Sequence, residues 1–318
     1  QGPIDKVPVA ELAQLMGAIK LVYASVYSDT ARAYINAISY KIEEEKMAVI
    51  IQEVVGRQYE NYYYPHFSGV GQSYNYYPYG HMQPEDGFAV IAIGLGTYVV
   101  EGEKAFRFSP KYPNLENNSP KDQYLNSQTE FFAIDLKKED FNLLEGDTVG
   151  MARLNIEDAE RHQVINHCAS VYSAENKSIY PGIDKPGPRV INFADILKYD
   201  YIPLATSLTE ILDIVKEALG TPVEIEFAVD LTKDQNHKAS FFLLQVKPII
   251  GASADYQINM DEIDSSHIMV LTEKSMGNGL IDDIKDVIFV DKETFDKTKT
   301  LEIAAEIRAR SEMPIILF

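Results

Sequence analysis

Val223-Glu224-Ile225-Glu226-Phe227-Ala228-Val229 and Phe241-Phe242-Leu243-Leu244-Gln245-Val246-Lys247-Pro248 are two β-like segments joined by a polar, turn-rich stretch, Asp230 to Ser240. That layout predicts antiparallel neighbours. Strand side chains alternate faces, so Glu224 and Glu226 project together, opposite Val223, Ile225, Phe227 and Val229. In the second segment Gln245 and Lys247 share one face, and Leu244 and Val246 the other. As a hairpin the pair gathers two carboxylates, an amide and an ammonium on one surface. Hard carboxylate and amide oxygens suit Mg²⁺, and the ammonium suits a phosphate. A nucleoside triphosphate needs that combination. The same spacing also fits a solvated strand face with a cross-strand Glu–Lys pair.

The rest of the chain bears on that choice. Upstream lie Met47-Ala48-Val49-Ile50-Ile51-Gln52-Glu53-Val54-Val55, then Ser68-Gly69-Val70. Next come the apolar run Phe88-Ala89-Val90-Ile91-Ala92-Ile93 and Gly94-Leu95-Gly96-Thr97-Tyr98-Val99-Val100-Glu101-Gly102. With Glu-Ile-Glu-Phe-Ala and Leu-Gln-Val-Lys-Pro following in order, the chain resembles the ATP-grasp nucleotide-binding domain of the phosphoenolpyruvate synthase and pyruvate phosphate dikinase family. The helical stretch Ala18–Tyr27 is similar to the family's segment ahead of the nucleotide hinge. The resemblance runs from about residue 8 to residue 250 and rests on five motifs in the same order.

The resemblance implies an α+β, ATP-grasp-like fold: a mixed or antiparallel sheet with packed helices, expected over residues 1–250, followed by a small α/β extension over 251–318. It implies ATP and Mg²⁺ as cofactors. It assigns Gln52, Glu53 and Val54 to the hinge that holds the adenine edge, and Gly94 and Gly96 to the nucleotide-binding turn. Glu226 and Gln245 become the Mg²⁺ ligands, with Glu224 beside them or at the ribose. Lys247 takes the catalytic position where the family has arginine, keeping the charge without the planar two-pronged grip. Thr97 stands where the family has glutamate. In the family a phosphoryl group passes from ATP to a histidine on a carrier domain and on to pyruvate. Those partners are implied for a longer parent chain, with pyruvate or a related molecule as acceptor. A phosphate-clamping Arg-Ser-Ser motif and a lysine are expected ahead of residue 1, so the isolated chain is expected to bind nucleotide weakly without turnover.

Composition bounds the alternatives. Asp and Glu total 48 against 29 Lys and Arg, a balance that argues against sequence-independent nucleic-acid binding and against anionic membranes. No apolar run approaches the ~20 residues of a membrane helix. Cys168 is the only cysteine, which excludes an internal disulfide and a thiolate zinc site and suggests a reducing, cytoplasmic setting. The chain opens at Gln1 and closes on apolar Pro314–Phe318, from which a piece of a longer polypeptide is expected.

Local readings complete the picture. Residues 8–37 predict one amphipathic helix or two, and 47–55 an apolar strand. The tyrosines from Tyr59 to Tyr79 predict a surface hairpin packing on its own rings, or a platform for sugar or protein. Lys111–Gln128 and Glu175–Pro188 read as loops. His162 and His167 read as surface histidines on an amphipathic helix within Ile156–Tyr172. Ser207-Leu208-Thr209-Glu210 reads as a capping box opening a helix that Gly220 ends. Residues 268–271, 287–290 and 315–318 read as strands and 301–310 as a helix. Two rival functions stay open: a non-catalytic nucleotide-binding regulator of the same fold, and a tyrosine-rich carbohydrate- or protein-binding module.

Overall fold

The computed structural model describes residues 9–28, 48–115, 118–138, 148–235, 238–249, 266, 268, 286–288, 299 and 315–317. The chain divides into two compact units, Gln1–Ile249 and Ile250–Phe318. The first unit is α+β and every strand pair described in it is antiparallel. In the second unit β13 (Asp286–Ile288) pairs in parallel with β14 (Ile315–Leu317), the relation a β-α-β unit requires. The expected helix at 301–310 and strand at 269–271 lie outside the described residues.

A five-stranded sheet organises the first unit. Its order is β12 (Ser240–Pro248), β11 (Val223–Asp230), β3 (Phe67–Gln72), β4 (Phe88–Ile93), β5 (Phe106–Phe108). One face is apolar because alternation sends Val223, Ile225, Phe227, Phe67, Ile91 and Ile93 the same way, all at most 1% exposed. The helix Leu204–Leu219 packs there through Leu204, Leu208 and Leu212. Gly71 leaves room for it: a side chain there would meet Ile225 and Leu208. Each fully buried leucine of this kind contributes about 1.5–3 kcal/mol. The opposite face carries the polar residues of β11 and β12.

Two smaller sheets flank this one, β1 (Arg57–Tyr59), β2 (Tyr62–Tyr64), β6 (Glu130–Asp135), β7 (Met151–Asn155) and β10 (Arg189–Ile191), β8 (Ala169–Ser173), β9 (Ser178–Pro181). Arg57 on β1 donates to Asp230 at the end of β11 over 2.7 Å, tying one sheet to the next. Burial alone would raise the Asp230 pKa. The contacts from His66, Thr232 and Arg57 outweigh it and hold the carboxyl well below the ordinary value. A depressed carboxyl contributes stability above its unfolded pKa, about 3.9, and loses it as pH falls toward the folded value. The thermal midpoint of the wild type is therefore expected to fall more steeply below about pH 4 than that of Asp230→Asn. Parallel slopes in thermal melts between pH 5 and pH 2 would count against this tie.

Several expectations change. Residues 48–56 form no strand among the described residues, and Ile50 and Ile51 are 80% and 67% exposed. β propensity needs a neighbouring strand to act on, and this segment borders β12 through a side chain instead. The helix Val9–Ser25 forms, but Leu12, Leu15, Met16 and Val22 stay 37–48% exposed rather than forming a buried face. The long helix starts at Leu204, a turn ahead of Ser207, so Ser207 caps nothing; Gly220 ends it as read. Inside the expected loops lie a helix, Pro120–Leu125, capped by Ser119, and strand β9. The helical stretch from Ile156 stops at Arg161, and β8 begins at Ala169.

Tyr64 and the His162 side chain lie further inside than expected, while Tyr77 is exposed and the His167 side chain is 37% exposed, as read for a surface residue. Tyr64 is fully buried, and its hydroxyl lies 2.7 Å from His162 Nδ1. Tyr59 stacks on the His162 ring at 5.5 Å. The His162 side chain is thus covered rather than on the surface, 4% exposed, with the Tyr64 hydroxyl on Nδ1, the Tyr59 ring stacked on it and Glu60 3.8 Å from Nε2. His167 stacks on Tyr201 at 3.6 Å and pairs with Asp195 at 3.1 Å. Only part of the tyrosine run behaves as a self-packing surface, with Tyr74 edge-on to Tyr76 at 5.0 Å.

Candidate functional site

The polar face of β11 and β12 is built by register. Glu224 faces Lys247 and Glu226 faces Gln245 across the ladder. Directly opposed residues share a face and lie with Cβ atoms about 4.5–5.5 Å apart. Lys247 Nζ lies 2.7 Å from Glu224 Oε1 and 3.4 Å from Glu226 Oε1, so one ammonium bridges both carboxylates. The hydrogen bond with Glu224 raises the Lys247 pKa first; burial opposes it, and Glu226 adds to the rise. Its folded value lies above the ordinary lysine value, so Lys247 is charged throughout the neutral range.

A register shift follows at once. Glu226 pairs with Gln245, but Phe227 pairs with Leu243, so Leu244 is an extra residue in β12. Bulges bend a strand and re-aim side chains next to sites. The bulge keeps Phe227 opposite Leu243 on the apolar side, and Phe227 stacks on Phe241 at 4.9 Å. Gln52 Nε2 donates to the Leu244 carbonyl over 3.1 Å. The expected hinge segment is thereby fastened beside the Glu226–Gln245 pair. Gln52, Glu53 and Val54 are all exposed. The Val54 carbonyl accepts from the Tyr63 hydroxyl at 3.2 Å.

Gln72 is a member of the cluster that the sequence analysis missed. It pairs with Glu224 across β3 and β11, and its side-chain amide donates to the Glu224 carboxylate. Alternation through Ser68, Val70 and Gln72 would have found it once β3 was placed beside β11. Glu224 is thus held from both sides, by Gln72 and Lys247. Among the described residues Glu226 has only the longer Lys247 contact, which leaves it the freer oxygen donor of the two.

The glycine turn sits elsewhere on the sheet. Gly94 takes φ +84° and is buried, and a Cβ there would meet Phe131 and the Phe132 carbonyl at 2.7 Å. Its own carbonyl accepts from the Ser68 hydroxyl at 2.9 Å. The Ser-Gly-Val and Gly-Leu-Gly motifs are therefore bonded to each other. Gly96 opens the single-turn helix Thr97–Val100 and is partly exposed. The Thr97 hydroxyl lies 3.7 Å from Met151 Sδ.

For a metal, the donor set is oxygen-based and small. Among the described residues no three His, Cys, Asp or Glu side chains converge as a metal cage. Mg²⁺ does not require one, since it is usually held by one or two carboxylates together with substrate phosphates. Glu226 and Gln245 supply two adjacent hard oxygens on one face, and an ammonium already bridges the carboxylates. The residues fit Mg²⁺ with a phosphate partner, and fit a stand-alone cation site poorly.

The first unit, α+β with antiparallel sheets and few helices, is consistent with an ATP-grasp-like domain. Residues 8–267 match the family described as pyruvate phosphate dikinase, AMP/ATP-binding domain, and the chain belongs to that family. No curated protein matches the chain. Among the described residues no helix is long and apolar enough to cross a membrane.

Proposed function

We propose that the chain is the ATP-binding part of a phosphoenolpyruvate synthase-like phosphotransferase, and that Mg·ATP lies on the polar face of β11 and β12. The observation that supports it is the register pairing of Glu226 with Gln245 beside a Lys247 ammonium that bridges two carboxylates. Glu226 and Gln245 hold Mg²⁺, which neutralises phosphate charge when bound. Lys247 leaves its two carboxylates for a phosphate oxygen, with Glu224 kept in place by Gln72. Gln52, Glu53 and Val54 border the adenine, and Gly94 and Gly96 shape the turn between strand and helix. Such transfer requires alignment and charge neutralisation more than covalent chemistry from the protein. The phosphoryl group then passes to a histidine of a carrier domain, and from there to pyruvate or a related acceptor, in a cytoplasmic setting.

Lysine acts here as a point charge. Lys247→Met is expected to weaken Mg·ATP binding by roughly tenfold, and Lys247→Arg to stay within about threefold of wild type. Calorimetric titration of the whole chain with Mg·ATP checks both; equal affinities for all three proteins would remove Lys247 from the site. A second reading, a regulator that binds nucleotide without transferring phosphate, is favoured by Thr97, whose hydroxyl faces Met151 where the family has a carboxylate. Radiolabelled ATP separates the two: label on a histidine of the parent protein supports the enzyme, and binding without label supports the regulator.

A further inference from the structure

A concavity of about 330 Å³ lies along β5, the edge of the five-stranded sheet opposite β12. The register row Glu226, Val70, Val90, Arg107 runs straight across the sheet, so Arg107 shares the polar face with Glu226. Three strand spacings separate them, roughly 14 Å at ~4.8 Å each. A group held at Arg107 is thus beyond the reach of a metal held at Glu226.

The lining departs from the chain's charge balance. The protein carries 48 acidic residues against 29 basic ones, yet among the described residues that line the concavity Lys104 and Arg107 are the charged ones and none is Asp or Glu. Lys104 Nζ donates to the Leu125 carbonyl at 3.0 Å and Arg107 Nη2 to Asn75 Oδ1 at 2.7 Å. The Arg107 guanidinium lies 3.5 Å over the Phe88 ring. Neither cation has a carboxylate partner among the described residues.

An unmet hydrogen bond lies beside them. Asn75 is 1% exposed, and its Oδ1 takes both the Tyr77 amide and Arg107, which fixes the amide's orientation. Asn75 Nδ2 is left buried without a partner, and so is Gln123 Oε1 on the same lining. Buried polar groups of native proteins are nearly always paired, and an unpaired donor next to two cations calls for an acceptor.

We propose that this concavity binds a small organic anion, a carboxylate or phosphate monoester on an apolar body, with Arg107 and Lys104 holding the charge. The guanidinium fork suits either oxyanion, Asn75 Nδ2 supplies a further donor, and Phe88, on the Arg107 face, walls the apolar body. The volume falls at the small end of metabolite sites, about 300–1,000 Å³.

The test is titration of the ¹⁵N-labelled chain with phenyl phosphate, benzoate and neutral benzyl alcohol, following the amide signals around Asn75 and Arg107. Both anions are expected to shift those signals saturably and benzyl alcohol is not; the tighter anion identifies the headgroup. Arg107→Met is expected to weaken the better anion by about tenfold, and Lys104→Met by about threefold. Lys104→Met carries the test should Arg107→Met fold poorly. Glu226→Ala is expected to leave anion binding unchanged, which keeps this outcome independent of the Mg·ATP reading. Equal shifts from benzyl alcohol, or anion affinities unchanged in both cation variants, would overturn the proposal.

Discussion

Glu226→Ala is expected to weaken Mg·ATP binding by about tenfold or more, at least roughly 1.4 kcal/mol, while ATP in the presence of a chelator binds as it does to wild type. The split follows from the geometry. Among the described residues the Glu226 carboxylate pairs only with Lys247, and at the longer distance of 3.4 Å, so its removal leaves the Glu224–Lys247 pair and the Gln72 contact intact. What disappears is the freer of the two carboxylate donors, opposite Gln245. The sheet itself is not threatened, because the backbone ladder and the apolar face of β11 do not involve this side chain. Glu224→Ala should behave differently. It leaves the Lys247 ammonium and the Gln72 amide without their shared partner, so a loss with and without metal is expected. Calorimetry with and without Mg²⁺ separates the two patterns, and equal losses in both conditions for Glu226→Ala would assign it a structural role.

Gly69→Val is expected to be the most damaging single change to stability. A Cβ at Gly69 would lie 2.6 Å from Ile91 Cγ2, 2.6 Å from the Val90 carbonyl and 2.7 Å from Phe227 Cζ. The carbonyl belongs to the neighbouring strand and cannot swing aside as a side-chain end can. Overpacking at such a point forces β3 away from β4 and β11, at a cost of about 3 kcal/mol. For a unit of this size each kcal/mol lowers the thermal midpoint by about 2–4 °C. Because β3 also positions Ser68 against Gly94 and Gln72 against Glu224, nucleotide binding should fall with stability. A midpoint within about 2 °C of wild type would show that the strands adjust at little cost.

How much of this was legible beforehand depended on whether a signal was local. The Glu224–Glu226 and Gln245–Lys247 faces follow from two-residue alternation, and their antiparallel pairing from the polar connection between them. The Leu244 bulge left no such trace, because an extra residue in a ladder appears only once both strands are aligned. Gln72 was missed for a related reason: its role is set by β3 lying between β11 and β4, a long-range pairing. His162 looked like a surface residue because its partner, Tyr64, lies far away in sequence. The apolar run at 47–55 misled in the other direction, since valine and isoleucine content predicts a strand without saying whether a neighbour exists. The Gly94–Gly96 turn could be read from the sequence, but only the fold reveals that Ser68 links it to the Ser-Gly-Val motif.

The account rests most heavily on Glu226 and Gln245 sharing one Mg²⁺ beneath a nucleotide. Diffraction from crystals soaked with Mn²⁺ and a non-hydrolysable ATP analogue, with data collected for the manganese anomalous signal, addresses it directly. The account predicts a peak at bonding distance, roughly 2.1 Å, from a Glu226 carboxylate oxygen and Gln245 Oε1, with Lys247 turned toward a phosphate. A nucleotide bound with its metal elsewhere on the domain, and Lys247 still bridging Glu224 and Glu226, would contradict it.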